Sequence, residues 1–283
     1  MTAASPSVSV IVATYNRPDA LDLVVRSLMG QTVPPLEILI ADDGSADDTP
    51  ARIAALAQGS PVPVRHVRQD DEGFRLARIR NLAAQQARGD YLIFLDGDCI
   101  TLPRWVEKHV QWAEPGWFTV GRRCFLYETP TRAILTWSWR INAWPRAILF
   151  AFAVFGGATR PFQLIPLNFA EARRKNRPTE PNKAQTCNFG VWRSDFLALG
   201  GFEEGYADYG LEDTDFVIRL FRYGARRITL EHAEPVLHLW HPRRPIGAAN
   251  RARLDRLKAS DRVRAERSVL LADVGAPDAE PVV

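Results

Sequence analysis

Cysteine is scarce. Cys99, Cys124 and Cys187 are the only three in 283 residues, odd in number, scattered, and without a CxxC spacing. That excludes a disulfide framework and suits a reducing cytoplasm. Neither GxGxxG nor GxxxxGK[ST] occurs, so no dinucleotide fingerprint and no P-loop is supported. The apolar stretch Ala147 to Thr159 is too short to span a bilayer, which takes about 20 residues. The opening MTAASPSVSVIV has no basic n-region and no cleavage site, so no signal peptide is expected. Internal repeats are absent as well. The balance of +3 and pI near 8.9 comes without a nucleic-acid motif, so nucleic acid is not an expected partner.

What remains is an ordinary globular composition, 46% apolar and 24% charged, with ample core for one large domain. Ser7 to Ala13, Leu36 to Ala41, Val62 to Val67 and Tyr91 to Leu95 read as strands. Ala20 to Gln31, Pro50 to Gln58 and Phe74 to Arg88 read as helices between them, with Asp47, Asp48 and Thr49 capping the second. Strands alternating with helix-length crossovers predict a doubly wound, mainly parallel α/β sheet. Ligands of such sheets bind at the carboxyl ends of the strands. The polar groups there are Thr14 and Asn16, then Asp42 and Asp43, then Asp96 and Asp98.

The last pair ends the run YLIFLDGD, two hard oxygen donors around a glycine, which suits a divalent cation carrying phosphates. A strand followed by a D–G turn is the plainer alternative. Asp42 and Asp43 have one too, as a helix cap with a D–G turn. Further on, Glu212, Asp213 and Asp215 open a helix through Phe216, Ile218, Leu220 and Phe221, where acidic residues commonly serve the helix dipole.

Four ordered blocks, SVSVIVATYNRPDAL, ILIADDGSADDT, DEGFRLARIRNLAAQQARGDYLIFLDGD and GGFEEGYADYGLEDTDFVIRLFRYG, resemble family 2 glycosyltransferases of the GT-A fold. The similarity is to the branch that shares a galactosyltransferase-like C-terminal segment with bacterial chondroitin-type polymerases, over roughly 7–126 and 186–242. The resemblance implies inverting transfer from a nucleotide-diphosphate sugar, with UDP favoured, to a glycan hydroxyl in polysaccharide or lipopolysaccharide synthesis. On its terms Thr14 and Asn16 border the nucleoside, and Asp42 or Asp43 accepts from the uracil ring nitrogen. Arg80 and Asn81 take base- and phosphate-side positions, with Asn188 on the donor side. Asp96 holds the ribose or a metal-bound water. Asp98 binds Mn²⁺ or Mg²⁺ with His238 or His241, and an imidazole among carboxylates favours Mn²⁺. Asp213 is the general base, Glu212 orients the acceptor, and Tyr209 stacks on a sugar face. Relatives often read G-W-G-G before the ED pair, whereas this chain has Asp208, Tyr209, Gly210 and Leu211, so sugar identity does not carry over.

The implied organisation is a GT-A domain over 1–245 and a C-terminal helix and disordered tail over 246–283. Within the domain lie a nucleotide-sugar half (7–126), an acceptor- or membrane-facing insertion (127–185) and a base-bearing half (186–245). In the insertion, Ala147 to Thr159 reads first as a buried helix. Its aromatics and arginines also suit a helix at the inner face of the cytoplasmic membrane, near a lipid-linked glycan. Ala248 to Leu271 reads as an arginine-rich helix. A nucleotidyltransferase, or a non-catalytic sugar-nucleotide or glycan-binding protein, is the competing function.

Overall fold

A computed structural model describes residues 5–46, 48–175, 185–242 and 245–271. The first half alternates as expected: β1 (Val8–Thr14), α1 (Pro18–Met29), β2 (Glu37–Asp42), α2 (Asp48–Gln58), β3 (Val64–Arg68), α3 (Leu76–Gln86) and β4 (Tyr91–Asp96). Boundaries move for local reasons. α1 starts at Pro18, whose fixed φ suits a first turn. α3 starts two residues later than Phe74 because Arg75 is non-helical at φ −128° and its N–H is committed to Asp43. It ends at Gln86 because Ala87 is extended.

The second half contributes β5 (Cys99–Ile100), α4 (Trp105–Gln111), β6 (Trp117–Val120), β7 (Arg123–Phe125), α5 (Glu128–Trp137), α6 (Arg146–Phe152) and α7 (Glu171–Arg174). It continues through β8 (Asn188–Trp192), α8 (Arg193–Ala198), α9 (Glu212–Arg222), β9 (Arg226–Thr229), β10 (Val236–His238) and α10 (Ala248–Lys258). The main sheet runs β3-β2-β1-β4-β8-β6-β9, all parallel except β8, which is antiparallel to both neighbours. A small sheet, β5-β10-β7, stands beside it.

Both faces of the main sheet are covered, and the strand period sorts them. Val10, Val12, Ile38, Ile40, Ile93 and Leu95 join one core; Ile11, Leu39, Ala41, Leu92 and Phe94 join the other. Burying both sides explains why these strands read as continuous apolar runs rather than alternating ones.

Two expectations fail in the second half. Ala147 to Thr159 is not a buried helix: α6 stops at Phe152, a π-type turn covers Ala153–Gly157, and Phe155 is 89% exposed. The helix expected over Ala248 to Leu271 ends at Lys258, with only a 3-10 turn returning at Val269–Leu271. That terminal segment packs on α3, since Leu270 shares a core with Ile79 and Ala83. No helix among the described residues is long and apolar enough to cross a membrane. The expected cap Asp47, residues 176–184 of the insertion and the expected disordered tail after Leu271 lie outside the described residues.

Candidate active site

Strand register brings the polar ends together. Thr14 pairs with Asp42 across β1 and β2, and Ala13 pairs with Asp96 across β1 and β4, so all three strands finish on one edge. The Asp96-Gly97-Asp98 turn lies directly against β1, with Gly97 N–H donating to the Ala13 carbonyl at 2.7 Å. A Cβ on Gly97 would meet that same oxygen at 2.7 Å, so only glycine lets the turn approach so closely.

The small sheet supplies the other side of Asp98. His238 in β10 pairs with Cys99 in β5, and Leu239 N–H donates to the Asp98 carbonyl at 2.9 Å. Asp98 then faces two imidazoles, His238 Nε2 at 3.6 Å and His241 Nε2 at 3.4 Å. Each ring has its Nδ1 on a backbone carbonyl: Leu239 at 2.8 Å for His238, Pro242 at 2.9 Å for His241. A carbonyl only accepts, so Nδ1 carries the proton in each and Nε2 keeps its lone pair, the tautomer a metal needs. Burial also pulls the His238 pKa down, favouring the neutral ring. Asp98, His238 and His241 therefore fit a divalent cation, with one carboxylate and two imidazoles converging.

Asp96 looks the other way. It accepts from Arg80 Nη2 at 2.6 Å, while Arg80 Nη1 donates to Glu212 at 3.2 Å. Arg80 is 1% exposed and lies 5.7 Å from the Phe202 ring centroid, so it is a buried tie between the strand end and the start of α9, not a crevice-lining cation. Burial and neighbouring Asp213 push the Glu212 carboxyl up to about 7. Asp213, half-buried, is also raised by burial, which outweighs its hydrogen bond from Thr214 N–H at 2.7 Å. Before this pair Leu211 sits in the left-handed region at φ +80°, a conformation glycine adopts without strain and leucine does not. Tyr209 stands at the rim, edge-on to Phe74 with centroids 6.3 Å apart. Its loop is held by α10, whose Asn250 donates to the carbonyls of Asp208 and Gly210 at 2.9 Å each.

On the far side of the crevice, the Asn16 side chain accepts from Ala46 N–H at 2.7 Å and its own N–H donates to Ser45 at 2.9 Å, tying the loop after β1 to the loop after β2. Asp42 is fully enclosed, meeting His66 at 2.9 Å and Ser45 N–H at 2.8 Å. Burial raises its pKa, but His66 and Ser45 more than offset that, and the net direction is down. Asp43 accepts from Gln69 at 2.5 Å and from Arg75 N–H at 2.9 Å, yet burial still holds its pKa up. Thr14 Oγ1 is buried without a hydrogen-bond partner among the described residues, as is Glu212 Oε2.

Two expected residues are committed to interior hydrogen bonds. Asn81 is fully buried and bonds to the Phe202 carbonyl, Glu204 and Ser268. Asn188, also buried, accepts from Trp105 and donates to the Arg122 carbonyl. Sequence reasoning missed Arg123. It lies 4.5 Å from the Phe125 ring centroid and donates from Nη1 to Cys187 Sγ at 3.5 Å; burial lowers its pKa, but Cys187, Cys99 and Asp96 together raise it. A doublet of arginines before Cys124 was the available signal, but only the pairing of β7 with β10 shows that Arg123 belongs here. A surface cavity of about 520 Å³ opens at the opposite end of β1, lined by Pro6, Pro34, Pro35 and Val110; Glu107 is its sole carboxylate, so it does not compete.

The family model described as "Glycosyl transferase family 2" matches residues 9–175, and that described as "N-terminal domain of galactosyltransferase" matches 168–242. A hyaluronan synthase from Pasteurella multocida is 28% identical over 239 residues, covering 80% of this chain but 24% of its own length. The chain thus spans about a quarter of that relative. A mannosyltransferase from Pyrobaculum calidifontis, solved with GDP-Man and Mn²⁺, superposes with a TM-score of 0.59 at 20% identity, over 97% of this chain and 67% of that one. GalNAc-T7, solved with UDP, GalNAc and Mn²⁺, gives a TM-score of 0.61 at 20% identity, over 90% and 48%. At these identities the two structures establish the shared GT-A fold.

Proposed function

We propose, for a chain that belongs to glycosyltransferase family 2, an inverting transfer of a sugar from a nucleoside diphosphate to a glycan hydroxyl. One observation carries the reading. A cation-binding trio, Asp98 with His238 and His241, and a carboxylate pair, Glu212 and Asp213, stand at one sheet edge, with buried Arg80 bonded to Asp96 and Glu212 between them.

The nucleoside enters beside Thr14 and Asn16. Asp42 is enclosed by Ser45 and His66, so the uracil contact falls to Asp43, with half-exposed Tyr15 beside it as a stacking face. Mn²⁺ or Mg²⁺ on the trio, when bound, supplies Lewis-acid stabilisation of the departing diphosphate. Arg123, hydrogen-bonded to Cys187 and near Asp96, adds a guanidinium against the same developing charge. Asp213 takes the proton from the acceptor hydroxyl as the oxygen attacks the anomeric carbon opposite the leaving group. Glu212 orients the acceptor and Tyr209 covers its sugar face. A single base suffices, so the product anomer is inverted and no covalent glycosyl-enzyme forms. Similarity to a hyaluronan synthase supports a polysaccharide acceptor.

A panel of nucleotide sugars with Mn²⁺ tests this. A preferred donor at 100-fold over its dissociation constant stabilises the fold by roughly 2.7 kcal/mol, visible in a melt. NMR of the product should show the opposite anomeric configuration; retention would overturn the mechanism.

A further inference from the structure

Between Glu128 and Glu171 there is no aspartate or glutamate, while arginines recur at 132, 140, 146 and 160. Of the large apolar side chains left exposed among the described residues, more than half lie between 137 and 167. Phe155 is 89% exposed, Trp137 69% and Phe162 65%, with Trp139, Ile148 and Val154 around them. α6 shows how this arises. Leu149 and Ala153 turn into the core, and the opposite face, carrying Ile148 and running on to Val154 and Phe155, is left to solvent. The platform beneath is firm: Trp144 packs edge-on against Phe152 at 5.7 Å, and Phe150 against Phe162 at 6.0 Å.

The arginines divide by position. Arg132 pairs with Glu128 and Arg146 with Glu234. Arg140 and Arg160 are exposed and have no ion-pair partner among the described residues. Aromatic tips flanked by unpaired guanidinium groups, with no carboxylate in that stretch of sequence and with Glu231 and Glu234 meeting it through Gln163 and Arg146, match the boundary between anionic headgroups and acyl chains. A protein partner would ordinarily be met by both signs of charge. The patch is also wired to the site. Thr159 N–H donates to the Phe125 carbonyl at 2.7 Å, Phe125 packs on His238 with centroids 4.9 Å apart, and Trp240 N–H donates to Thr131 at 2.9 Å.

We infer that residues 137–167 form a docking face that seats the protein peripherally on an anionic lipid bilayer. Phe155 and Phe162 enter the acyl boundary, Arg140 and Arg160 pair with headgroup phosphates, and the His238 side of the site is tied to the membrane-facing segment. The inference deepens the functional reading by making a lipid-borne acceptor accessible, and its test is independent of turnover. The full chain is sedimented with phosphatidylcholine vesicles containing or lacking phosphatidylglycerol, at low and high salt, without donor. Binding should require phosphatidylglycerol and weaken with salt. Phe155→Ser with Phe162→Ser, and separately Arg140→Glu with Arg160→Glu, should each lower partitioning about tenfold or more. Both doubly substituted proteins should keep wild-type UDP binding with Mn²⁺, which separates loss of docking from loss of fold. Absence of binding to phosphatidylglycerol vesicles at low salt, equal binding by either variant, or self-association through this face in place of vesicle binding would each overturn the inference.

Discussion

At the residue scale the buried guanidinium of Arg80 does the most. It satisfies Asp96 and Glu212 at once, and removing it leaves buried Glu212 and part-exposed Asp96 without their shared counter-charge. Arg80→Met should cost about 3 kcal/mol in urea denaturation, because breaking a buried pair strands its partners. A loss within error would show that solvent already screens them. The same crowding sets the pH response. Burial and neighbouring Asp213 push the Glu212 carboxyl up to about 7, burial raises Asp213, and a base acts only when ionised. Burial raises the Asp213 carboxyl, so activity should fall with acid at a pH above the ordinary aspartate value of about 3.9. Glu212→Gln should move that limb to lower pH. An unchanged limb would assign it elsewhere. Asp98, Glu212 and Asp213 were legible because their motifs are local. Arg80 was noticed but misplaced, since nothing in RLARIRN says which of its arginines turns inward.

At the element scale, two short strands matter more than the long ones. β5 and β10 are only two and three residues, yet their pairing sets His238 beside Asp98. Neither was legible, because so few residues show no period, whereas β1 and β4 announced themselves as buried apolar runs. The pairing also makes both histidines face Asp98, where the sequence left a choice between them. The turn before β5 depends on Gly97 lying flat on β1. Gly97→Ala should destabilise by about 1–3 kcal/mol, as overpacking does, and weaken Mn²⁺-dependent UDP binding, read by calorimetry. Wild-type behaviour in both would show that the turn can lift away without consequence.

At the scale of the whole molecule, one sheet with both faces buried brings the Asp98 trio and the Glu212–Asp213 pair to one edge. The parallel first half followed from alternating elements. Antiparallel β8 did not, because TCNFGVW is short and its partners, β4 and β6, are remote in sequence. The exposed aromatics between 137 and 167 resemble core by composition, so only the fold shows them outside. The central claim is that metal-assisted departure and base-assisted attack belong to different carboxylates on the two halves. Comparing Asp98→Asn with Asp213→Asn tests it most directly, with Mn²⁺-dependent UDP binding by calorimetry and sugar transfer measured on both. Asp213→Asn should bind UDP and Mn²⁺ as wild type while transfer falls by about 10²-fold or more, and Asp98→Asn should lose the Mn²⁺-dependent binding itself. Full transfer by Asp213→Asn, or undiminished Mn²⁺-dependent binding by Asp98→Asn, would contradict the account.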